Sequence, residues 1–286
     1  MNGFFPLTLV AVVLIVLLVL ERFFPLRGST RSLLGRLFIN LGLAAVMFLV
    51  AIALVQPAIR SALHWSANRS FGLVHVIALP AWLEFVMSFL LMDLAFYYWH
   101  LANHRVPFLW RFHNVHHIDP DLDVSTALRF HFGEIAFSAG FNLIQLSLIG
   151  TSGWAFAAYQ FVFQAEVLFH HSNLRLPIGL EQVLSKIIVT PRMHGIHHSQ
   201  VERENKSNFG TVFTWWDWLH RTLGLNVPQS EIVVGIPAYS LPEDNQLGNA
   251  LLLPFRKQRD YWRRPDGVLV ERNRRSEEAA SGRLAD

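Results

Sequence analysis

The segment WHLANHRVPFLWRFHNVHH, residues Trp99–His117, contains five of the chain's 14 histidines. Its two clusters consist of histidines three or four residues apart, namely His100 and His104, then His113, His116 and His117. On an α-helix, side chains at this spacing lie one turn apart on the same face, where imidazoles can bind a common metal ion. A single histidine usually has a structural role, but two clusters this close together predict a metal site.

A third cluster lies far along the chain, in the segment MHGIHH at Met193–His198, and repeats the His-x-x-His-His spacing of the second. The three clusters supply eight candidate ligands, which are His100, His104, His113, His116, His117, His194, His197 and His198. Eight imidazoles exceed what one catalytic metal ion takes from a protein, because such an ion keeps one position open. Two metal ions are therefore predicted, and His171, at the end of the last hydrophobic helix, is a ninth candidate ligand.

The composition indicates an integral membrane protein. Hydrophobic residues make up 52% of the 286 residues, charged residues make up 16%, and the mean hydropathy is +0.31. Basic residues flank the apolar segments, which is typical of a membrane surface, and no nucleic-acid partner is predicted. The absence of cysteine excludes disulfides, iron–sulfur clusters and thiolate-bound zinc or haem. Histidine and carboxylate ligands suit iron, zinc, manganese or copper, so the ligands alone leave the metal open.

Five apolar segments predict about four to five membrane helices, at residues 4–20, 37–58, 81–104, 133–150 and 154–169. The first lacks the basic start and the cleavage site of a signal peptide, so we expect an uncleaved span. Pro80 predicts the start of the third span, and the last two segments predict a helical hairpin. Residues 60–79 predict an interfacial or re-entrant helix. The predicted fold is an all-α membrane bundle with a cytoplasmic, histidine-rich cap.

The distribution of arginines predicts the orientation of the chain. Residues 22–36 carry four arginines, which places this loop in the cytoplasm and the N-terminus outside. With about five crossings, all three histidine clusters then face the cytoplasm, and a bacterial inner membrane is the expected location. We divide the chain into N-terminal membrane helices and links (1–80), a histidine-rich domain (81–224) and a C-terminal cytoplasmic segment (225–286). Past Phe255 this last segment is highly charged, and we expect a mobile tail.

The motifs HLANH, WRFHNVHH, FHHSN and PRMHGIHHS follow one another along the chain, and Asn208–Gly210 (NFG) and the pair Trp216-Asp217 come after them. In this order they resemble the fatty acid hydroxylase/sterol desaturase superfamily of membrane di-iron oxygenases, in particular its bacterial sterol-desaturase-like and alkylglycerol-monooxygenase-like branches. The resemblance covers residues 81–224 and makes this the expected catalytic domain. The sequence departs from the family at residues 219–222, where Phe-Gly-Thr is more frequent, so we expect His220 to be structural.

The resemblance implies two iron ions, Fe²⁺ or Fe³⁺, held by the eight histidines and His171, with zinc as the alternative in purified protein. It implies the use of O2 to hydroxylate or desaturate a membrane lipid such as a sterol, fatty acyl or ether lipid, with ether cleavage as a further outcome. The chain has no haem, flavin or nucleotide motif, so electrons would come from a separate ferredoxin or b-type cytochrome with its reductase. Arg105, Arg111, Arg192 and Arg203 either face that donor or contact lipid phosphates.

Several residues near the clusters are candidates for hydrogen bonds to the ligands. Asp93 lies seven residues before His100, near the same helix face, and is expected to accept a ligand N–H. Glu134 and Glu166 have similar but weaker geometry. Further candidates are His170, which points away from His171 on the same helix, His131, for which ligation and a structural role are equally expected, and Asp123. Asp123 belongs to an acidic turn with Asp119 and Asp121, which we otherwise expect to be solvated.

Two other functions could use the same histidines. A metal transporter would place its ligands along the spans near the middle of the bilayer, whereas these clusters lie at span ends and in surface segments. A non-catalytic, zinc-binding family member is the other alternative, but all eight positions in the three clusters are histidine. A zinc hydrolase would need about three ligands.

Overall fold

Helices form nearly all the regular structure of residues 4–272, which are the residues that this computed structural model describes, with the side chains of residues 4–7 excepted. They are α1 (Phe4–Phe23), α2 (Leu33–Val50), α3 (Gln56–Arg69), α4 (Ala81–Arg105), α5 (Pro107–His117), α6 (Phe132–Ile149), α7 (Gly153–His171), α8 (Ile178–Leu184), α9 (Pro191–His197), α10 (Glu202–Asn205), α11 (Trp215–His220) and α12 (Leu247–Leu252). Within these residues, β-structure is limited to isolated bridges. The prediction of an all-α fold is confirmed.

Three helical segments of the described chain are long and apolar enough to cross a membrane: Leu33–His75, Ala81–Arg105 and Phe132–Ile149. Two further predicted spans coincide with α1 and α7, which have 20 and 19 residues. The total of four or five spans stays a prediction, as does the cytoplasmic position of the cap.

The second predicted span continues beyond its expected end. Helix α2 passes through a π-helical turn at Ala51–Val55 directly into α3, which ends at Arg69. The sequence predicts that the span ends at residue 58 and that an interfacial or re-entrant helix follows at residues 60–79. The π-helical turn ends at Val55, two residues before Pro57. Proline has no amide hydrogen, and in a regular helix its ring collides with the carbonyl one turn earlier. The π-helical turn accommodates this proline, so the helical segment continues past it instead of ending there.

The C-terminal end of α3 meets the C-terminal end of α6. Gly72 and Gly150 both have positive φ angles, 128° and 79°, which favour glycine. A Cβ on Gly72 would lie 2.4 Å from the Cα of Gly150, so the two turns can touch only because both are glycines. This contact lies at the opposite end of α6 from His131 and the cap.

Helix α4 packs against both helices of the predicted hairpin. It begins at Ala81, directly after Pro80, as predicted. The Phe96 ring contacts Phe141 of α6 and Phe163 of α7, with ring centroids 6.3 and 4.4 Å away. The predicted hairpin helices therefore both pack against α4, and α4 carries its two histidines out of the apolar bundle into the cap.

The acidic turn after α5 is buried rather than solvated. Asp119 forms two hydrogen bonds with the Arg36 guanidinium, at 2.9 and 2.8 Å, and Arg36 also pairs with Asp123. Burial by itself would raise the pKa of Asp119, but the Arg36 charge outweighs this and lowers it to about 2. The pairing of Asp119 with Arg36, 83 residues away, joins α2 to the turn that follows the second histidine cluster.

The C-terminal segment also differs from the prediction. Residues 256–272 lie on the cap, where Trp262 and Tyr261 pack against a second apolar core that includes Trp110. Arg272 donates two hydrogen bonds of 2.8 Å to the carboxylate of Glu204. The expected mobile tail therefore does not begin at Phe255, and its remainder, residues 273–286, lies outside the described residues.

Candidate metal centre

Nine buried histidines form two groups in which the candidate ligand nitrogens all lie within 4.8 Å of one another. The first histidine group contains His100, His104, His113, His117 and His197, and the second contains His116, His171, His194 and His198. These are the nine histidines proposed as ligands from the sequence. The two groups are adjacent, because the rings of His117 and His198 stack at 4.2 Å.

Each His-x-x-His-His motif is divided between the two groups. On α5, His113 and His117 are four residues apart and enter the first group, whereas His116 enters the second. The motif on α9 does the reverse, since His194 and His198 enter the second group and His197 the first. Residues four apart share a helix face, and the residue before the second of them points about 100° away. The spacing within each motif predicted a single helix face, so this division was not predicted from the sequence.

Hydrogen bonds to Nδ1 orient several rings. His100 donates to the Phe209 carbonyl at 2.9 Å, His171 to the Val167 carbonyl at 2.7 Å, and His197 to the Ser207 carbonyl at 2.7 Å. Because a carbonyl oxygen can only accept, these bonds place the imidazole proton on Nδ1 and leave the Nε2 lone pair available. Backbone carbonyls thus preset the tautomer that binds a metal through Nε2.

The Nε2 atoms of the second histidine group converge. Nε2 of His171 lies 3.0 Å from Nε2 of His116 and 2.9 Å from Nε2 of His194. His116 also directs its Nδ1 to a carbonyl, that of Arg129 at 3.3 Å, so the His116 and His171 lone pairs face each other. Lone pairs at this separation repel unless a proton or a cation lies between them, which suits a bound cation.

Two nitrogens of the first histidine group also suit a metal. His104 Nε2 and His197 Nε2 are buried and have no hydrogen-bond partner among the described residues. Burial, and then the neighbouring imidazoles, hold the pKa of His197 and His198 well below the usual range, so these rings stay neutral at pH 7. Neutral nitrogen donors fit iron or zinc, and the iron implied by the family therefore fits the residues present.

Glu134 orients His113 from the start of α6. Its Oε1 lies 3.0 Å from His113 Nδ1, and both side chains are buried. The close approach of α6 to α5 depends on Gly133, where a Cβ would lie 2.6 Å from the Phe112 ring. The sequence predicted weaker geometry for Glu134 than for Asp93, but it is Glu134 that contacts a histidine of the two groups.

Asp217, in the Trp-Asp pair, holds the NFG segment against the first histidine group. Its carboxylate accepts hydrogen bonds from the amides of Phe209 and Gly210, at 2.8 and 2.7 Å, and from the Thr222 hydroxyl at 2.7 Å. Burial raises the pKa of the Asp217 carboxyl, and these three bonds oppose the rise. The Phe209 carbonyl in turn accepts from His100. The sequence showed the NFG and Trp-Asp motifs but not this connection.

Asn205 links the two motifs of the first group. Its side-chain amide lies 3.2 Å from His117 Nδ1 and donates to the His197 carbonyl at 2.9 Å. Asn205 was not predicted from the sequence, where its position three residues before the NFG segment is the only signal.

Three of the other candidates have partners away from the metal groups. Asp93 accepts from the amides of Val212 and Phe213 and from Trp216 Nε1, the last at 2.7 Å, so it acts on the loop before α11 rather than on an imidazole. Asp123 caps the turn at Val124 and pairs with Arg36. His131 caps α6: its Nδ1 accepts from the Gly133 amide at 2.9 Å, and its Nε2 donates to the Leu251 carbonyl at 3.0 Å. It belongs to neither histidine group.

His170 and Glu166 lie four residues apart on α7 and outside both groups. The His170 ring is 4.2 Å from that of His194, and its Nδ1 is buried without a partner in the described chain. One carboxylate oxygen of Glu166 is likewise buried and unpartnered there.

Of the four predicted surface arginines, Arg192 is not at the surface. It is buried and donates from Nε to Glu181 at 2.7 Å. Arg105, Arg111 and Arg203 are exposed, as predicted. His220, expected to be structural, lies 2.8 Å from both the Tyr98 hydroxyl and the Trp216 carbonyl.

The sequence model of the fatty acid hydroxylase family matches residues 85–222, which contain both histidine groups. This part of the chain is a fatty acid hydroxylase domain. The resemblance predicted from the motifs is confirmed.

The chain is 31% identical to an ornithine lipid hydroxylase of Rhizobium tropici over 55% of its own length. It is also 31% identical to an alkylglycerol monooxygenase of Xenopus tropicalis, over 52% of its length. A human cholesterol 25-hydroxylase is 28% identical over 56% of the chain. These matches span 46%, 31% and 59% of the lengths of the three relatives, in that order. The chain therefore covers less than two thirds of each of them. No solved structure matches the chain.

Proposed function

We propose that the protein is a membrane-bound oxygenase that uses O2 to hydroxylate or desaturate a lipid, with residues 81–224 as the catalytic domain. The observation that carries the proposal is the pair of buried histidine groups, with converging and unpartnered nitrogens, inside a fatty acid hydroxylase domain. The first group would hold one iron ion and the second group another. When bound, the ions would supply the activation of O2 and the oxidation of a C–H bond.

The chain's own residues would fix the ligands and exclude water. Glu134 and the Phe209 carbonyl orient rings of the first group, and Asp217 holds Phe209 in place. Phe130 stacks on His116 at 4.5 Å and covers the second group from one side. Outer hydrogen bonds of this kind typically fix ring orientation and raise ligand basicity.

A lipid substrate would reach the site from the bilayer. The histidines lie at the end of α4, which is itself a candidate span, so a substrate held between apolar helices would present a C–H bond there. The relatives are named for an ornithine lipid, an alkylglycerol and cholesterol, which supports a lipid as the substrate class. His170 and Glu166, with their unpartnered polar atoms, would hydrogen-bond to a polar group of the bound lipid.

We place the active site on the cytoplasmic side of a bacterial inner membrane, with four or five spans and the N-terminus outside. Electrons would come from a separate ferredoxin or b-type cytochrome. The positive-inside distribution of residues 22–36 supports this orientation. The grouping of the nine histidines at one end of α4 favours an oxygenase over a transporter, whose ligands would lie along a path across the bilayer.

Metal content and Mössbauer spectroscopy of the full chain, purified in detergent after growth with enriched iron, test this proposal. We expect two irons per chain, and His104→Ala or His194→Ala should each lower the iron content and abolish turnover. His64→Ala, on the exposed face of α3, is the matched control and should change neither.

Incubation of the iron-loaded protein with lipid extract, a chemical reductant and isotopically labelled O2 then identifies the product. Incorporation of the oxygen label into a lipid, or formation of a lipid that has lost two hydrogen atoms, supports the function. Stoichiometric zinc that iron cannot replace, or normal turnover in His104→Ala, would refute it.

A further inference from the structure

A pocket of about 210 Å³ opens beside the first histidine group at the end of α4. Its lining includes His104, which is 8% exposed, and the buried Trp110. Tyr261 and Trp262 of the C-terminal segment form another part of the wall. The pocket therefore reaches from the surface of the cap to a proposed metal ligand, His104.

Trp110 connects this surface to the first histidine group. Its ring centroid lies 4.8 Å from that of His104 and 5.4 Å from that of His117. On its outer side it lies 6.3 Å from the half-buried Trp262, with the ring planes 24° apart. Because electron tunnelling slows steeply with distance, these neighbouring aromatic rings provide a route of short steps from the surface to the ligands.

The surface around Trp262 is strongly basic. Residues 256–264 contain five basic side chains and one acidic side chain, and the basic ones are exposed: Arg256, Lys257, Arg259, Arg263 and Arg264. Arg105 and Lys206 line the pocket on its other side. Some of this charge is offset, since Arg259 pairs with Asp244 and Arg263 with Asp260, but the surface keeps a net positive charge. Such a surface attracts an acidic partner and accelerates encounter.

We propose that the surface around Trp262 is the docking site of an acidic one-electron carrier protein, and that Trp262 and Trp110 conduct its electrons to the first histidine group. This inference rests on the proposed oxygenase function. Hydroxylation of one C–H bond by O2 puts one oxygen atom into the lipid and releases the other as water, which requires two further electrons and two protons. Two reduced carrier molecules dock in turn, and each supplies one electron and leaves oxidised. Redox partners of this kind dock through small interfaces, so an extensive surface is not required.

The test uses the full detergent-solubilised chain and a purified acidic [2Fe–2S] ferredoxin as the probe. Binding is measured as a Kd at low and high ionic strength, and electron transfer as the rate at which iron-loaded protein oxidises the reduced ferredoxin without O2. The double variant R263E/R264E should weaken binding by about tenfold or more at low ionic strength, and added salt should remove most of the difference.

Trp262→Leu separates the route from the docking. We expect its Kd to remain that of the unsubstituted protein, while the transfer rate falls clearly and Trp262→Phe restores most of it. Reduction by dithionite with a small mediator should be unchanged in Trp262→Leu, because that reductant does not need the docking site. Arg69→Glu is the charge-reversal control, since Arg69 lies at the far end of α3, and it should leave the Kd unchanged.

The inference is overturned if ferredoxin does not bind the unsubstituted chain, or binds R263E/R264E equally well. It is also overturned if that variant keeps ferredoxin affinity but loses affinity for vesicles containing phosphatidylglycerol, because the basic residues would then contact lipid. Failure of the oxygenase proposal is separate: it would appear as absent iron or absent lipid oxidation with dithionite, whereas the ferredoxin Kd is measured with or without iron.

Discussion

Replacing Asp217 with asparagine should weaken metal binding at the first histidine group, although Asp217 itself belongs to neither group. The carboxylate accepts from two backbone amides and one hydroxyl, and the Phe209 carbonyl that it fixes accepts from His100 Nδ1. Asparagine keeps the shape of the side chain but replaces one acceptor oxygen with an NH2 group, which cannot accept a hydrogen from an amide. The Phe209-Gly210 backbone then loses one of its two anchors, and the His100 ring loses its fixed orientation.

The magnitude follows from the bonds that are lost. A hydrogen bond to a charged group contributes about 1.5–3 kcal/mol, so Asp217→Asn should destabilise this segment by roughly that amount. Loss of a group that orients a metal ligand typically costs about 10–100-fold in metal affinity. Since a tenfold change corresponds to about 1.4 kcal/mol, the two figures agree in size.

The assay is competition between the protein and a chelator for Fe²⁺, with iron per chain measured at each chelator concentration. One of the two irons should be lost at about 10–100-fold lower chelator concentration in Asp217→Asn, and the other should be retained. Thr222→Val is the graded control, because it removes only the hydroxyl bond and leaves both amide bonds to Asp217, and its effect should be smaller. Wild-type affinity for both irons in Asp217→Asn would refute the proposed connection. Equal loss of both irons together with a collapse of the melting temperature would show that Asp217 supports the whole cap instead.

Three further substitutions test the surroundings of the site. Glu134→Gln should weaken iron binding by about tenfold in the same competition assay, because a neutral amide is a poorer acceptor for His113; unchanged affinity would contradict the orienting role. Arg36→Met should cost about 3–5 kcal/mol in the free energy of unfolding, since it leaves buried carboxylates unpaired, and a loss below 1 kcal/mol would argue against a buried pair. The pKa of Asp119, about 2, lies below its ordinary value of 3.8, so the pair stabilises fully above that value and its contribution disappears as pH falls toward 2; melting temperatures across this range should show an acid-dependent loss that Arg36→Met lacks. Gly133→Ala should cost about 1–3 kcal/mol because its Cβ would collide with an aromatic ring, whereas Gly140→Ala, with open space around it, should not destabilise.

Local patterns carried much of the information needed for the helices and the ligands. Apolar length located α4, α6 and α7 to within two residues of their observed bounds, and Pro80 marked the start of α4. Histidine spacing along the chain identified eight of the nine members of the two groups, because spacing on a helix reports which side chains can be neighbours. The ninth, His171, was indicated by its position at the end of the last hydrophobic helix.

Contacts between distant segments could not be predicted in the same way. The burial of Asp119 depends on its pairing with Arg36. The sequence shows only an acidic turn and a basic loop, and each of them considered alone would be expected to be solvated. Likewise, the charge of residues 256–264 predicted a mobile tail, while the apolar faces of Tyr261 and Trp262 hold the segment on the cap. The roles of Glu134 and Asp217 depend on how α6 and α11 approach the histidines, which no local pattern specifies.

The exchange of ligands between α5 and α9 bears on how the centre would be assembled. Each helix supplies histidines to both groups, so an ion that orders α5 and α9 around one group also positions the remaining ligands for the other. The cost of ordering the two helices would then be met once rather than twice. In the unsubstituted chain, where both groups are intact, loading would be cooperative and chains with a single ion would be scarce during a titration, even though no ligand is shared between the two groups. A substitution that weakens only one group, such as Asp217→Asn, would make the single-ion chain observable.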